Sequence, residues 1–253
     1  MLDKTWHDLI EGTDYPDLRA DTPAFWNAFA TLIEARRRDR ACVVAQLGLS
    51  LDGRIATQTG DSKYINGRDA LAHLHRLRAL VDAVIVGSGT ALADDPQLTV
   101  RLCHGRHPAR VVIDPNGRVS PRARVWADDG TRSLVFGGAP DLPAHVERIA
   151  VPGGDIPPDR LVTELAQRGL IRLLVEGGAD TLGRFLADGQ ITSLHLLYGQ
   201  LILGSGQPGV VLPPIAKLSD ALRPDCKTHV FPDGDILVAC DLVPPDQDAG
   251  GTA

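Results

Sequence analysis

The stretch "LLVEGGADTLGRF", residues 173–185, decides the fold class of this chain. Its apolar start is typical of a strand that is buried on both faces, and this strand ends at Glu176. Two glycines then turn the chain, and the continuation "ADTLGRFLADG" (179–189) predicts a helix that Gly189 closes. A buried strand, a glycine turn and a helix form the repeating unit of α/β proteins with parallel sheets.

The same alternation continues on both sides of this stretch. Upstream, "GRDALAHLHRLRAL" (67–80) predicts an amphipathic helix, and "DAVIVG" (82–87) and "ARVVID" (109–114) predict buried strands. Downstream, "KTHVFPDGDILVACDL" (227–242) predicts an antiparallel hairpin around an Asp-Gly turn. We therefore predict an α/β fold with a mostly parallel central sheet between helices and antiparallel strands at its C-terminal end.

The composition is that of an ordinary globular protein. The chain has 253 residues, 43% of them hydrophobic, and a net charge of −6, which argues against nucleic acid as a partner. We find neither a membrane-spanning apolar run nor a signal peptide, and the four cysteines lack zinc-ligand spacing. These features predict a cytoplasmic protein with reduced thiols, no membrane association and no bound metal.

Three segments are expected along the chain. Residues 1–40 read as an N-terminal helical extension, because "DTPAFWNAFATLIEARRRDR" has apolar residues at helical spacing. Residues 41–243 hold the alternating strands and helices and form the main domain. Residues 244–253, where Gly and Pro are concentrated, are predicted to be a disordered tail.

Two glycine turns carry the first chemical signal. One follows the strand that ends at Glu176, and the other opens "VGSGTALADDPQLTVR" (86–101). Backbone amides at such turns bind phosphate, and open α/β sheets bind ligands at the carboxyl ends of their strands. A plain structural turn remains the alternative for each. A polar loop in "QLGLSLDGRIATQTGDSKYING" (46–67) adds side chains that suit a sugar and a heterocycle.

These stretches together resemble one family. The pieces "SLDGRIA", "GDSKYI", "HRLRALVDAVIVGSGTALADDPQLTVR", "RVVID" and "LLVEGGADTLGRFL" are similar to the reductase domain of bacterial bifunctional riboflavin-biosynthesis deaminase–reductases and to their stand-alone relatives. The resemblance implies a three-layer fold like that of dihydrofolate reductase and a homodimer. It also implies that NADPH reduces the ribosylamino chain of a phosphorylated pyrimidine to a ribitylamino chain, as in a 5-amino-6-(5-phosphoribosylamino)uracil reductase.

The resemblance also implies site residues. The cofactor would contact two sets of residues, the strand and loop positions Gly48, Tyr64, Gly87, Thr90 and Asp94 and the second glycine turn with its helix, Gly177, Gly178, Ala179, Asp180, Thr181 and Leu182. The substrate would contact Ser62, Arg78, Leu98, Arg101 and Glu176, with the arginines as phosphate ligands. Glu176 and Asp52 are the candidate catalytic residues for proton delivery, directly or through water. Arg118 is a candidate for the 2′-phosphate of NADPH.

Some features depart from the family pattern. The zinc deaminase motifs of the bifunctional proteins are absent, Gln46 stands where a lysine is usual, and Tyr64 stands where a tryptophan is frequent. We therefore expect no deaminase activity by the zinc route. Two alternatives stay open: a reductase of another pyrimidine or pterin, such as dihydrofolate, and a nucleotide-binding protein without turnover.

Overall fold

A computed structural model describes residues 2–12 and 24–242 of the chain. The helices are α1 (Leu2–Glu11), α2 (Ala24–Asn27), α3 (Ala30–Arg37), α4 (Arg68–Leu80), α5 (Ser88–Asp94), α6 (Pro158–Ala166) and α7 (Ala179–Ala187). Two short 3-10 turns lie at Arg124–Trp126 and Leu218–Asp220. The tail predicted for residues 244–253 lies outside the described residues.

The strands are β1 (Cys42–Ser50), β2 (Arg54–Ala56), β3 (Ala83–Gly87), β4 (Ala109–Asp114), β5 (Ser133–Gly137), β6 (Val146–Ile149), β7 (Arg172–Val175), β8 (Ser193–Gly199), β9 (Gln207–Pro208), β10 (Asp225–Val230) and β11 (Ile236–Asp241). Nine of them form one sheet in the order β10-β11-β8-β1-β7-β3-β4-β5-β6, and β2 pairs with β9. The first strand of the chain is therefore a central strand of the sheet.

The sheet has the predicted mixture of directions. The seven strands from β8 to β6 run parallel to one another, whereas β11 pairs antiparallel with β8 and β10 pairs antiparallel with β11. In the centre, Ala45 of β1 lies opposite Val175 of β7 on one side and Leu194 of β8 on the other. The predicted α/β fold with antiparallel C-terminal strands is confirmed.

The sheet separates two hydrophobic cores. Side chains of β1, β3 and β7 alternate between them, so that Val44, Val84 and Leu174 face one core and Ala45 and Ile85 face the other. Covering the strands on both faces explains why they read as continuous apolar runs.

The N-terminal helices complete the first of these cores. Trp6 and Leu9 of α1 join Trp26 and Phe29 in the cluster that contains Leu174, and Phe29 is fully buried. The described part of residues 1–40 therefore packs as part of this first core. Within the described ranges, we find no helix that is both long and apolar enough to cross a membrane.

A buried histidine pair links α4 to the sheet. The Nε2 atom of His73 lies 2.8 Å from the Nδ1 atom of His195 on β8, in a pocket of aromatic rings that includes Phe29 and Phe231. Burial lowers the pKa of His195 to about 4, and burial, with smaller electrostatic effects of nearby groups that include Arg76, lowers the pKa of His73 well below its usual range. Both rings are therefore neutral at physiological pH.

Candidate functional site

A large cavity opens at the carboxyl edge of the parallel sheet. Its volume is about 1180 Å³, and its walls come from β1, the ends of β3, β4 and β7, and the loops and helices that follow them. Because β7 lies between β1 and β3, the turns after these strands meet at one edge. This is the place where open α/β sheets bind ligands.

The two glycine turns contact each other directly. The backbone N–H of Gly178 donates to Oγ1 of Thr90 across 3.1 Å. In return, Thr181 lies against the opposite turn, so that a Cβ atom at Gly87 would stand 2.5 Å from its Oγ1 atom. A Cβ atom at Gly177 would stand 2.6 Å from the Cβ atom of the same threonine. A side chain at either position would press against Thr181, so glycine allows the two turns to pack closely against each other.

A buried ion pair forms the floor of the cavity. Glu176, at the end of β7, accepts hydrogen bonds of 2.7 and 2.6 Å from Nε and Nη2 of Arg78 on α4. The side chains are 9% and 8% exposed, respectively. The third guanidinium nitrogen donates to the carbonyl oxygen of Thr99 at 3.0 Å. Burial alone would lower the pKa of Arg78, but the charge and hydrogen bonds of Glu176 outweigh it and raise that pKa.

Arg78 is held by three protein hydrogen bonds, one from each guanidinium nitrogen. These bonds use three of its five N–H groups, so its contact with a substrate phosphate stays a prediction. Arg78 remains a wall of the cavity, and its main effect there is to hold the carboxylate of Glu176 in one orientation.

Arg101 is the available cation beside this pair. Its backbone N–H donates to Nδ1 of His75 at 2.8 Å, and its Nη1 donates to Oγ1 of Thr99 at 2.6 Å and to Gln97 at 3.4 Å. No carboxylate of the described residues lies within ion-pair distance of it. Burial and the neighbouring charge of Arg78 lower the pKa of Arg101, so an incoming anion would relieve an unfavourable environment.

A second available cation, Arg118, also lines the cavity. Its Nη2 donates to Oγ of Ser88 at 2.6 Å, next to the first glycine turn. Asp114, at the end of β4, accepts the backbone N–H groups of Arg118 and Val119 and so fixes the turn that carries this side chain. In the part of the chain that the structure describes, no carboxylate pairs with the guanidinium of Arg118.

The adjacent aspartates of the "ADDP" segment have separate roles. Asp94 lines the cavity and lies 3.4 Å from the hydroxyl of Ser62, which belongs to the polar loop. Asp95 adopts a left-handed conformation with φ of 39° and accepts the backbone N–H of Arg124 at 2.8 Å. One carboxylate faces the cavity while the other braces the turn.

The structure brings most of the predicted site residues to this one cavity: Gly48, Ser62, Tyr64, Arg78, Gly87, Thr90, Asp94, Leu98, Arg101, Glu176, Gly177, Gly178, Ala179, Asp180 and Thr181. Two of their backbones are unusual, because Tyr64 and Leu98 have φ of 66° and 54°. Strain of this kind accumulates at ligand sites. Tyr64 is 91% exposed at the rim, whereas Leu98 is 2% exposed.

Two predicted residues do not line the cavity. Asp52 accepts hydrogen bonds from Ser50 and from the backbone N–H groups of Leu203 and Gly204, and these bonds lower its pKa to about 2. It is therefore ionised and bound to a loop, which corrects the prediction that it delivers a proton. Leu182 is fully buried among the core residues on the inner face of α7, so its side chain is unavailable to a ligand.

Sequence reasoning missed the residues that position the cations. Thr99 holds both Arg78 and Arg101, and His75 fixes the backbone of Arg101. Burial and the charges of the two arginines lower the pKa of His75 to about 4, which keeps its ring able to accept that hydrogen bond. The helical pattern around His75 gave no signal of this contact.

Comparisons with known proteins identify the family of this chain. The family model described as the RibD C-terminal domain matches residues 41–230. A protein of Methanothermobacter thermautotrophicus, named 2,5-diamino-6-ribosylamino-4(3H)-pyrimidinone 5′-phosphate reductase, is 31% identical over 210 residues, which cover 79% of this chain and 97% of that protein.

Longer relatives match over part of their length. The riboflavin biosynthesis protein RibD of Chlamydia muridarum is 34% identical over 66% of this chain and 48% of that protein, so the chain spans about half of it. A solved deaminase/reductase of Thermotoga maritima superposes with a TM-score of 0.68 at 30% identity, covering 86% of this chain and 60% of that one. Because the family model matches most of this chain, the chain belongs to the RibD C-terminal domain family.

Proposed function

We propose that this protein is an NADPH-dependent reductase that converts a phosphorylated ribosylaminopyrimidine to its ribitylamino product in riboflavin biosynthesis. The observation that carries the proposal is the single cavity in which two joined glycine turns face a buried Arg78–Glu176 pair and the available cation Arg101. The names of the archaeal and bacterial relatives support the same reaction.

The glycine turns fit the pyrophosphate of a dinucleotide. Gly87, Gly177 and Gly178 line the cavity, and glycine turns at the start of a helix offer backbone N–H groups to a phosphate. A volume of about 1180 Å³ has room for a dinucleotide beside a second ligand. Thr90 and Asp94 lie on the first turn and its helix, where they reach the sugar of the same cofactor.

Arg118 favours NADPH over NADH. It is the cavity cation that lies beside the first glycine turn, and no carboxylate of the described residues neutralises it. A guanidinium matches the geometry of a 2′-phosphate, which NADH lacks. We expect Arg118→Ala to lower kcat/KM for NADPH by at least about tenfold, the effect of one charged hydrogen bond, and to leave kcat/KM for NADH unchanged. Equal losses with both cofactors would contradict this role.

Arg101 and Glu176 fit the substrate. Arg101 would pair with the substrate phosphate, because it has no carboxylate partner among the described residues and lies where a cation is already disfavoured. Each oxygen of Glu176 spends one lone pair on Arg78 and keeps another for a hydroxyl of the substrate or a water.

The chemistry needs one hydride and one proton. A bound nicotinamide would supply the hydride to C1′ of the ribosylamino chain, where the bond to the ring oxygen breaks and that oxygen takes the proton. With Asp52 outside the cavity, we assign to Glu176 the ordering of the water that delivers this proton. The protein contributes above all the orientation of the two reactants.

The direct test follows NADPH oxidation by absorbance with purified protein. The deaminated and the diamino ribosylaminopyrimidine phosphates are offered separately, because the archaeal relative is named for the diamino compound. Turnover of either compound supports the proposal and orders the reduction relative to deamination. NADPH binding without turnover of either would overturn it. Arg101→Ala is the matched variant, expected to raise KM for the phosphorylated substrate and to leave NADPH binding intact.

We also propose that the protein works as a homodimer in the cytoplasm. The segment 202–222 and the edge strand β10 expose large apolar side chains, with Ile202 at 73%, Leu218 at 81% and Val230 at 64%. An apolar surface beside an open sheet edge suits a second copy of the chain. Light scattering during size-exclusion chromatography tests this, and a monomer at micromolar concentration would contradict it.

A further inference from the structure

A second cluster of chemically active side chains lies outside the cavity, where α1 meets the loop 101–108. His7 and Glu11 of α1 and His104 of the loop each present one donor atom, and these atoms lie within 4.8 Å of one another. His104 Nε2 is 3.0 Å from Glu11 Oε1, and the two imidazole rings have centroids 4.8 Å apart. All three residues are exposed to solvent.

The backbone on both sides of this cluster is held in place. His7 and Glu11 are four residues apart and so share one helix face, while Trp6 and Leu9 anchor α1 in the core. On the loop side, the carbonyl oxygen of His104 accepts the indole N–H of Trp6 at 2.8 Å. Gly105 approaches α4 so closely that a Cβ atom there would stand 2.5 Å from the Cβ atom of Ala79.

The donor set determines which ion would bind. Two imidazoles and a carboxylate are ligands of Zn²⁺, whereas Mg²⁺ and Ca²⁺ prefer oxygen alone. Three protein ligands leave the fourth tetrahedral position to water. The donor atoms lie up to 4.8 Å apart, whereas tetrahedral ligands on zinc bonds of about 2.1 Å are about 3.4 Å apart. The gap of at most about 1.4 Å can be closed by rotation of the exposed side chains. Cys103 does not belong to this group of converging donor atoms.

We propose that His7, Glu11 and His104 form a zinc site that fastens the N-terminal helix to the loop following Arg101. The bound ion replaces the existing His104–Glu11 contact with three metal bonds between segments that are far apart in sequence. Its charge is opposed by Arg106, which acts on Glu11 at present, so we expect micromolar rather than nanomolar affinity. The role is to stabilise the packing of α1, and through the loop to restrict Arg101.

The test is zinc binding by untagged, metal-stripped protein, in competition with a chromophoric zinc indicator. We expect one equivalent to bind and Zn²⁺ to raise the melting temperature. His7→Ala and His104→Ala should each weaken binding at least about tenfold and abolish the melting shift. Glu11→Gln keeps the shape of the side chain and should also weaken binding. His145→Ala, which removes an exposed histidine elsewhere, and Cys226→Ser, which removes an exposed thiol, are the matched controls.

Two results would overturn the proposal. One is the absence of saturable binding at zinc concentrations up to about a hundred micromolar, where ligand linkage would already shift stability. The other is equal zinc affinity in the wild type and in His7→Ala. Because the cluster is exposed, these variants retain the core, and unchanged circular dichroism verifies that they are folded.

Discussion

The buried pair His73–His195 should make the stability of the protein depend steeply on pH. An unfolded histidine takes up a proton near pH 6.5, whereas burial holds the pKa of His195 at about 4 in the folded protein. Between these values the unfolded chain binds more protons, so stability is complete above about pH 6.5 and falls as the pH falls toward 4. His73, whose pKa is lowered in the same direction, adds to this loss.

The size of the effect follows from the shift. A pKa difference of one corresponds to about 1.4 kcal/mol, so the lowered pKa of His195 contributes about 3 kcal/mol to the free energy of unfolding at neutral pH. About 2 kcal/mol of this contribution is lost when the pH falls to about 5. That is a large part of the 5–15 kcal/mol that stabilises a typical domain. His195→Gln keeps a hydrogen-bonding group beside His73 but does not titrate. Between about pH 7.5 and about pH 5, the free energy of unfolding should therefore fall by about 2 kcal/mol less in the variant than in the wild type.

The assay is urea unfolding at the two pH values, followed by tryptophan fluorescence. Trp6, Trp26 and Trp126 are all buried in the first core and report its exposure. Comparing the pH dependence of the two proteins cancels contributions that they share, such as that of His75. His145→Gln, an exposed histidine remote from the pair, is the control and should behave as the wild type. Equal losses in the wild type and His195→Gln would refute the reasoning.

Three further predictions concern the cavity. Glu176→Gln leaves the charge of Arg78 buried without its partner, so we expect a loss of at least about 3 kcal/mol in the free energy of unfolding and a fall in kcat; an unchanged urea midpoint would contradict this. Gly177→Ala drives a methyl group against Thr181, and NADPH affinity measured by fluorescence titration should fall at least about tenfold, whereas unaltered affinity would remove the turn from the cofactor site. Thr90→Val removes the hydroxyl that joins the two glycine turns and should cost about 1 kcal/mol of stability by urea unfolding, with no change if the bond is dispensable.

Local sequence patterns predicted the elements and the edge of the sheet at which the cavity opens. The strand ending at Glu176, the helix 179–187 and the hairpin around Asp233 all follow from burial periodicity and turn residues. The residues after β3 and β7 also met as expected, since parallel strands end at one edge. These features depend on neighbours in the sequence, which is why a single sequence carries them.

The partners of the charged residues depend on tertiary contacts instead. Arg78 and Glu176 are 98 positions apart, and nothing in either helix or strand pattern indicates that one neutralises the other. Asp52 looked like a catalytic carboxylate because it follows a strand, but the returning segment at 203–204 takes up both its oxygens. Likewise, the apolar residues of the first helices predicted a helical segment, but they did not reveal that Phe29 packs in the first core, on one face of the central sheet.

The central position of β1 has a consequence for how the protein is made. This strand emerges from the ribosome before the others, yet its two neighbours are β7 and β8, which begin at Arg172 and Ser193. Both of its hydrogen-bonding edges stay unpaired until β7 and β8 have been synthesised, and its apolar side chains stay without their native packing partners during this time. Strand pairs that are far apart in sequence slow folding, and their unpaired apolar strands are prone to aggregation until they pair. We therefore expect the nine residues of β1 to be a binding site for chaperones while the segment up to β8 is being translated.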